Sequence, residues 1–552
     1  MLTSLAVKLH LGEDITVIKT NRAFKKHTHT WLFSLIATLL GACSTSQMPL
    51  SETALEPTSV ISVAWGEQVQ VTHPAINASP AVTIQYRIDS GPVQTISRFH
   101  QQDNRVVFAL PSVLALPELP NFATPYTVSA GAYASTLTSS QIEQYTNRGT
   151  VKVTISTGSK KIRHSYQPYG AVESGELTVL VQATNCEAVK AAVLAEGFSI
   201  IDNTSGERLC YLTAYTESKG TSQAIAHLEN KLEFSQVWVD KNTIQTLDPT
   251  GAHGFDPGCD QIANWLDLAG GSGFKMLLPT DLLASSNAST AHNAGITGAG
   301  IKVFVIGGGI GINDDFECLD ATGSVLFEDH DTHIAEIIRL IAPDALVEDR
   351  IVCDATGNCP TSEIVKALLD VNSAAQTNMG KDIINMSLGG PLPNIVLERA
   401  LRAIESDITV ISSNGNGPNA PAHYPASYSS ANPTPGALDN VVAIAASGFQ
   451  AGNWYIAGYN TRNAQMFAPG TNICVQTATS FRCDTSATTQ PESIGITGSS
   501  FAASFATAMA ALYLEASSSN LTPEDVRQCL LDGSVNNPNM NRMVWFDAAV
   551  CP

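Results

Sequence analysis

The sequence predicts an α/β fold for residues 260–552: a parallel sheet with helices on both faces. Short continuous apolar runs carry this expectation, at Ile301–Ile306, Ile383–Met386, Ile408–Ser412 and Val441–Ala445. Such runs suit strands buried on both faces, and helical patterns separate them. Before this part, residues 176–245 read as strand, helix, strand, strand, helix, strand, the order of a ferredoxin-like α+β unit. Residues 60–175 alternate at period two and predict a β-rich domain. With 552 residues, 44% of them hydrophobic and 14% charged, the chain can bury sizeable cores and is not a disordered polymer. Its 30 Lys+Arg against 50 Asp+Glu give a net charge of −20, which speaks against nucleic acid or anionic lipid as a main partner.

Residues 1–43 read as an export signal. Arg22, Lys25 and Lys26 precede the apolar run Trp31–Ala42, which is too short to span a bilayer. The run ends in Leu40-Gly41-Ala42-Cys43, which resembles a bacterial lipobox. That resemblance implies a lipid on Cys43, membrane contact through this anchor only, and delivery to the cell envelope, with Ser44 favouring the outer membrane. An ordinary cleaved signal with a chance cysteine is the other reading. Residues 44–59, rich in Ser, Thr, Pro and Glu, suit a linker. In the β-rich part, Val82, Ile84, Tyr86 and Ile88, then Val151, Val153 and Ile155, alternate as in a small β-sandwich, with no residues that convert into chemistry. The next unit is expected to place strands at Leu177–Gln182, Phe198–Ile201, Cys210–Tyr215 and Gln236–Asp240, with helices at Glu187–Ala195 and about Ser222–Phe234.

Ten cysteines remain after Cys43, an even number that fits an oxidising compartment. Close spacing suggests Cys353/Cys359 and Cys474/Cys483, leaving Cys186/Cys210, Cys259/Cys318 and Cys529/Cys551 as the remaining guess. With no CxxC pair, a zinc or thioredoxin-type role is weakly supported.

Three segments of the α/β part carry chemistry. His330-Asp331-Thr332-His333 opens a helix whose Ile334, Ile337, Ile338 and Ile341 share one face, so His330 stands at a helix start outside the core. Alone it would be a surface histidine, or half of an HxxH metal site with no third ligand in view. Gly498-Ser499-Ser500 enters a helix of small residues, where Ser500 is either an N-cap or a nucleophile beside free N–H donors. Ser413-Asn414-Gly415-Asn416-Gly417 follows a strand; it is a plain turn or a loop whose Asn amide donates to developing negative charge.

Together and in this order the segments resemble the subtilisin-like (subtilase) serine peptidases. Further matching pieces are Ala299-Gly300-Ile301-Lys302-Val303, Ile384-Asn385-Met386-Ser387-Leu388-Gly389-Gly390, Tyr424-Pro425-Ala426 and Ala468-Pro469-Gly470. The resemblance implies a subtilisin-like parallel sheet and hydrolysis of peptide bonds in peptide or protein substrates. Ser500 would be the nucleophile, His330 the general base and then acid, and Asn416 the oxyanion donor. Ser387, Leu388 and Gly389 would pair with an extended peptide, and Ser413, Asn414 and Gly415 would line the first specificity pocket. The ferredoxin-like unit, placed directly before, resembles the family's inhibitory prodomain, so a self-cut is expected nearest Lys241–Gly254. No cofactor is implied; structural calcium occurs in such proteins, but no ligand loop is identifiable here.

The pattern breaks at one point. The family's acid belongs directly after the first strand, where this chain reads Val305-Ile306-Gly307-Gly308-Gly309. Its loss typically costs about 10⁴-fold in turnover. Asp331 and Ser504 also stand where the family has Gly and Pro. Three readings stay open. Another carboxylate reaches His330, with Asp314 or Asp315 preferred over the flanking Asp329 and Asp331 because adjacent side chains diverge at a helix start. A Ser–His dyad works alone. Or the chain is a pseudoprotease that binds peptides without cutting them.

Overall fold

In the N-terminal part, period-two alternation becomes a strand series: β1 (Val60–Trp65), β2 (Gln68–Thr72), β3 (Val82–Ile88), β4 (Gln94–Ile96), β5 (Phe99–Gln102), β6 (Arg105–Ala109), β7 (Val151–Thr157) and the long β8 (Lys160–Gln182). The computed structural model describes residues 60–77, 81–111, 150–158, 160–247, 277–310, 330–354, 357–375, 381–417, 422–429, 437–450, 452–461, 464–474, 497–537 and 540–551. Asp314, Asp315, Asp329 and Cys43 lie outside them, as do the linker and the signal segment. Strands β2, β6 and β5 form one sheet, while β4, β3, β7 and β8 belong to a second. Apolar residues from both, including Val71, Ile84, Phe108, Val153 and Ile155, share one core.

Strand β8 does not stop at the expected border between residues 175 and 176 but runs through it. It is followed by α1 (Cys186–Ala195), β9 (Ser199–Ser205), β10 (Leu209–Tyr215), α2 (Thr221–Lys231) and β11 (Val237–Leu247). Antiparallel pairing orders the strands β9-β10-β8-β11, with Val179, Val189, Leu212, Leu228 and Val239 in the core beneath. This is the ferredoxin-like order read from the sequence. One sheet thus joins both N-terminal units. Helix α2 ends at Lys231, short of the expected Phe234, and β11 continues seven residues past Asp240 because partners outside its own unit receive it.

The α/β part contains α3 (Pro279–Ser286), α4 (Ala288–Asn293), β12 (Lys302–Gly307), α5 (His330–Ile341), β13 (Leu346–Ile351), β14 (Asn358–Pro360), α6 (Thr361–Ala375), β15 (Asp382–Met386), β16 (Leu388–Gly389), α7 (Ile395–Ala403), β17 (Thr409–Ser413), β18 (Val441–Gln450), β19 (Asn453–Ile456), β20 (Met466–Pro469), α8 (Ser499–Ala516), α9 (Pro523–Gly533), β21 (Val535–Asn537) and β22 (Met540–Met543). Strands β13-β12-β15-β17-β18-β20 pair in parallel in that order. Successive residues of a strand face opposite sides. Accordingly Val303, Val305 and Ile411 pack with α5, α8 and α9, whereas Phe304, Ile306 and Val410 pack with α6 and α7. The continuous apolar runs therefore feed two cores, one on each face of the sheet.

Disulfides join Cys186–Cys210, Cys353–Cys359 and Cys529–Cys551, three of the anticipated pairs. Cys474 is also disulfide-bonded, and Cys259, Cys318 and Cys483 lie outside the described residues.

Candidate active site

Ser500 is the second residue of α8, directly after Gly498 and Ser499, so it sits where helix N–H groups lack intrahelical acceptors. Its hydroxyl donates to the Ser387 carbonyl at 3.2 Å, and the Ser387 hydroxyl lies 3.0 Å from the Ser500 carbonyl, so the helix start is clamped to the edge segment. The entry to α8 requires glycine at 470: a Cβ there would stand 2.8 Å from the Gly498 carbonyl oxygen. Tyr459 donates to the Gly470 carbonyl at 2.9 Å, and burial raises its phenol pKa. Asn416, fully buried, accepts from the Ser499 amide at 2.8 Å through Oδ1. With the oxygen accepting there, the NH₂ end of the amide is the donor end.

His330 opens α5, which packs against α8 and brings the imidazole within 5.8 Å of the Phe501 ring. Its Nδ1 lies 2.7 Å from Oδ1 of Asp331, and both side chains are nearly inaccessible to solvent. A carboxylate only accepts, so Nδ1 carries the proton and Nε2 is the basic nitrogen. The expectation that neighbouring side chains diverge does not hold for Asp331, for a local reason. A Cβ built on Gly307 would lie 2.7 Å from the Asp331 carboxyl carbon. The carboxylate therefore occupies the space that a side chain at the end of β12 would fill. There the Gly309 amide donates to its Oδ2 at 3.0 Å, and its place in the first turn of α5 favours negative charge. The second histidine of the HxxH pattern, His333, is buried with its ring 6.5 Å from that of Phe501. Among the described residues no group of three or more His, Cys, Asp or Glu side chains is placed to hold a metal ion.

The edge segment is occupied. β11 runs antiparallel to β16, with Leu247 opposite Leu388 and Thr246 opposite Gly389. On its other side it pairs with β14, and the Leu247 amide donates to the Gly357 carbonyl at 3.0 Å. Chain from the ferredoxin-like unit thus lies between two segments of the α/β part, as an extended peptide would.

Of the pocket residues anticipated from sequence, Ser413 ends β17, Asn414 donates through Nδ2 to the Thr461 carbonyl, and Gly415 adopts φ 87°. Two participants were missed. Thr461 braces the loop, its amide donating to the Gly415 carbonyl at 3.0 Å and its hydroxyl accepting from the Gly417 amide at 3.2 Å. His423 stands between Gly389 and Gly415. Neither lies in a segment that the motifs mark; Tyr424-Pro425 beside His423 was the nearest signal.

The Subtilase family matches residues 320–544. "Subtilisin Savinase" of Lederbergia lenta is 31% identical over 161 residues, covering 26% of this chain and 58% of that protein. "Alkaline protease" of Alkalihalobacillus alcalophilus is also 31% identical over 161 residues, with 41% of its length covered. "Minor extracellular protease Epr" of Bacillus subtilis (strain 168) is 30% identical over 203 residues, with 29% of its length covered. The chain therefore spans between about a third and three-fifths of these relatives. A solved structure described as "Crystal structure of a cold adapted subtilisin-like serine proteinase" aligns with TM-score 0.33 at 20% identity, covering 45% of this chain and 90% of that one. Residues 320–544 thus match the Subtilase family, and they supply most of the parallel sheet with helices on both faces.

Proposed function

We propose that the chain is a serine endopeptidase in which Asp331 replaces the acid that Gly307 cannot supply. Ser500 Oγ attacks the carbonyl carbon of a peptide bond while His330 Nε2 takes the hydroxyl proton. Asn416 Nδ2 donates to the resulting oxyanion, and the imidazolium then returns the proton to the leaving amine, which departs with the electrons of the C–N bond. Water repeats the cycle on the acyl-enzyme. The observation that carries this reading is the 2.7 Å contact between His330 and Asp331, made in the space beside Gly307. The acid's task is to fix the imidazole tautomer and stabilise its cation, which depends on where the carboxylate sits in space and not on which residue bears it.

The test exchanges the two positions. Asp331→Asn should lower kcat/KM by about 10⁴-fold, and Gly307→Asp combined with Asp331→Gly should recover most of the loss. A wild-type chain that neither hydrolyses peptides nor reacts with a fluorophosphonate at Ser500 would favour the second reading, a peptide-binding pseudoprotease. The observation on that side is the groove filled by β11. On the peptidase reading β11 is an inhibitory occupant that a self-cut between Lys241 and Gly254 makes able to undock, while the cut pieces stay associated until it does.

Export and tethering belong to the same proposal. Paired cysteines suit an oxidising compartment, and the Leu40-Gly41-Ala42-Cys43 segment supports a lipid on Cys43 as an attachment to the cell envelope. Substitution of Cys43 by Ser, with release of the protein into the soluble fraction, checks this.

A further inference from the structure

We infer that His423 closes the first specificity pocket to long side chains, so that the peptidase proposed above accepts only a small side chain on the residue whose carbonyl is attacked. The register of β11 locates that residue. Because Thr246 faces Gly389 and Leu247 faces Leu388, a strand continuing in this register sets its next residue opposite Ser387. The Ser387 carbonyl lies 3.2 Å from Ser500 Oγ, so this is the residue presented to the nucleophile. Its side chain is directed into the gap between the Ser387–Gly389 segment and the Ser413–Gly415 segment.

That gap already holds an imidazole. A Cβ on Gly389 would stand 2.6 Å from His423 Cδ2, and a Cβ on Gly415 would stand 2.5 Å from Nδ1 and 2.6 Å from Cγ. One ring therefore spans the distance between the two glycine backbones, and His423 is only 7% exposed. The backbone that carries the ring is held in place. Tyr424 and Gly390 exchange backbone hydrogen bonds of 2.7 and 3.0 Å, while the His423 amide donates to Ser427 Oγ at 3.0 Å and the His423 carbonyl accepts from the Ser427 amide at 2.8 Å. With the backbone held and the ring packed between two glycines, a benzyl or long aliphatic side chain finds the space taken, whereas a methyl or hydroxymethyl group needs little of it.

Two readouts on the full-length chain test this. With peptides that differ only in Ala or Phe at the attacked residue, the wild type should favour Ala by at least about tenfold in kcat/KM, and His423→Gly should remove or invert that preference. Independently of turnover, His423→Gly in a Ser500→Ala background should bind imidazole in the vacated gap, seen as a Tm that rises with imidazole concentration, while Ser500→Ala alone should not respond. His423→Ala carries the same readouts if the glycine variant does not fold. Equal cleavage of the Phe and Ala peptides by the wild type, or a folded variant indifferent to imidazole, overturns the inference. Imidazole binding by the variant with no hydrolysis by the wild type would uphold the filled pocket and defeat the peptidase reading instead.

Discussion

At the scale of residues, the centre of the molecule is an exchange between Gly307 and Asp331. Each explains the other: the missing Cβ opens the space, and the carboxylate next to His330 turns into it. Gly307→Asp alone should therefore be harmful, since it forces two carboxylates into one site; the expected outcome is a lower Tm and lower activity than either the wild type or the exchanged pair, measured by thermal unfolding and peptide hydrolysis. Asn416→Ala should cost about 10²- to 10³-fold in kcat with little change in KM. Much of this site was legible. His330, Asn416 and Ser500 stand in recognisable segments, and the absent acid shows plainly as Gly307. The ranking of the candidate acids was not legible: Asp331 stood among them but behind Asp314 and Asp315, because the divergence of adjacent side chains is a rule about an unobstructed helix start, and what brings Asp331 to His330 is a vacancy contributed by another strand. His423 escaped for a similar reason: only the fold brings Gly389 and Gly415 to either side of one ring.

At the scale of elements, the strand order of the ferredoxin-like unit follows from its hydrophobic pattern, but the length of β11 does not. Its last residues are a strand because β14 and β16 provide hydrogen-bonding edges, a reason absent from the local sequence. The same contact brings like charges together. Glu173 and Glu176 on β8 have raised pKa values, through burial first and then through neighbouring carboxylates, including Asp354 and Glu363 of the α/β part. The carboxylates of the α/β part add to the raise, so to that extent the associated state binds more protons. The contribution of these two groups to association is fully present below the ordinary carboxylate range and is lost as pH rises through the raised values. In a chain cut between Lys241 and Gly254, dissociation of the N-terminal part, followed by native gel or analytical ultracentrifugation, should therefore be easier at neutral pH than near the acid end. Replacing Glu173 and Glu176 by Gln should flatten the dependence.

At the scale of the whole molecule, β8 makes one body of what the composition reads as two. The β-rich part and the ferredoxin-like unit have separate cores but a common strand, so the border at 175 marks a change of core and not of chain. After incubation, the reduced wild-type chain should yield a fragment ending between Lys241 and Gly254 by intact mass, the Ser500→Ala chain should stay whole, and the cut pieces should still co-migrate without denaturant. An uncut wild type treated in parallel would count against self-processing. The unbroken strand also decides how the groove is vacated. Whatever pulls β11 away from Leu388 and Gly389 must carry β8 and the strands paired with it back to Val60, so opening is the undocking of a sheet and not the flicking aside of a loop. Traction on the far N-terminal end would then be felt at the groove, which turns the accessory strands into a handle by which an external grip could hasten or delay the onset of activity.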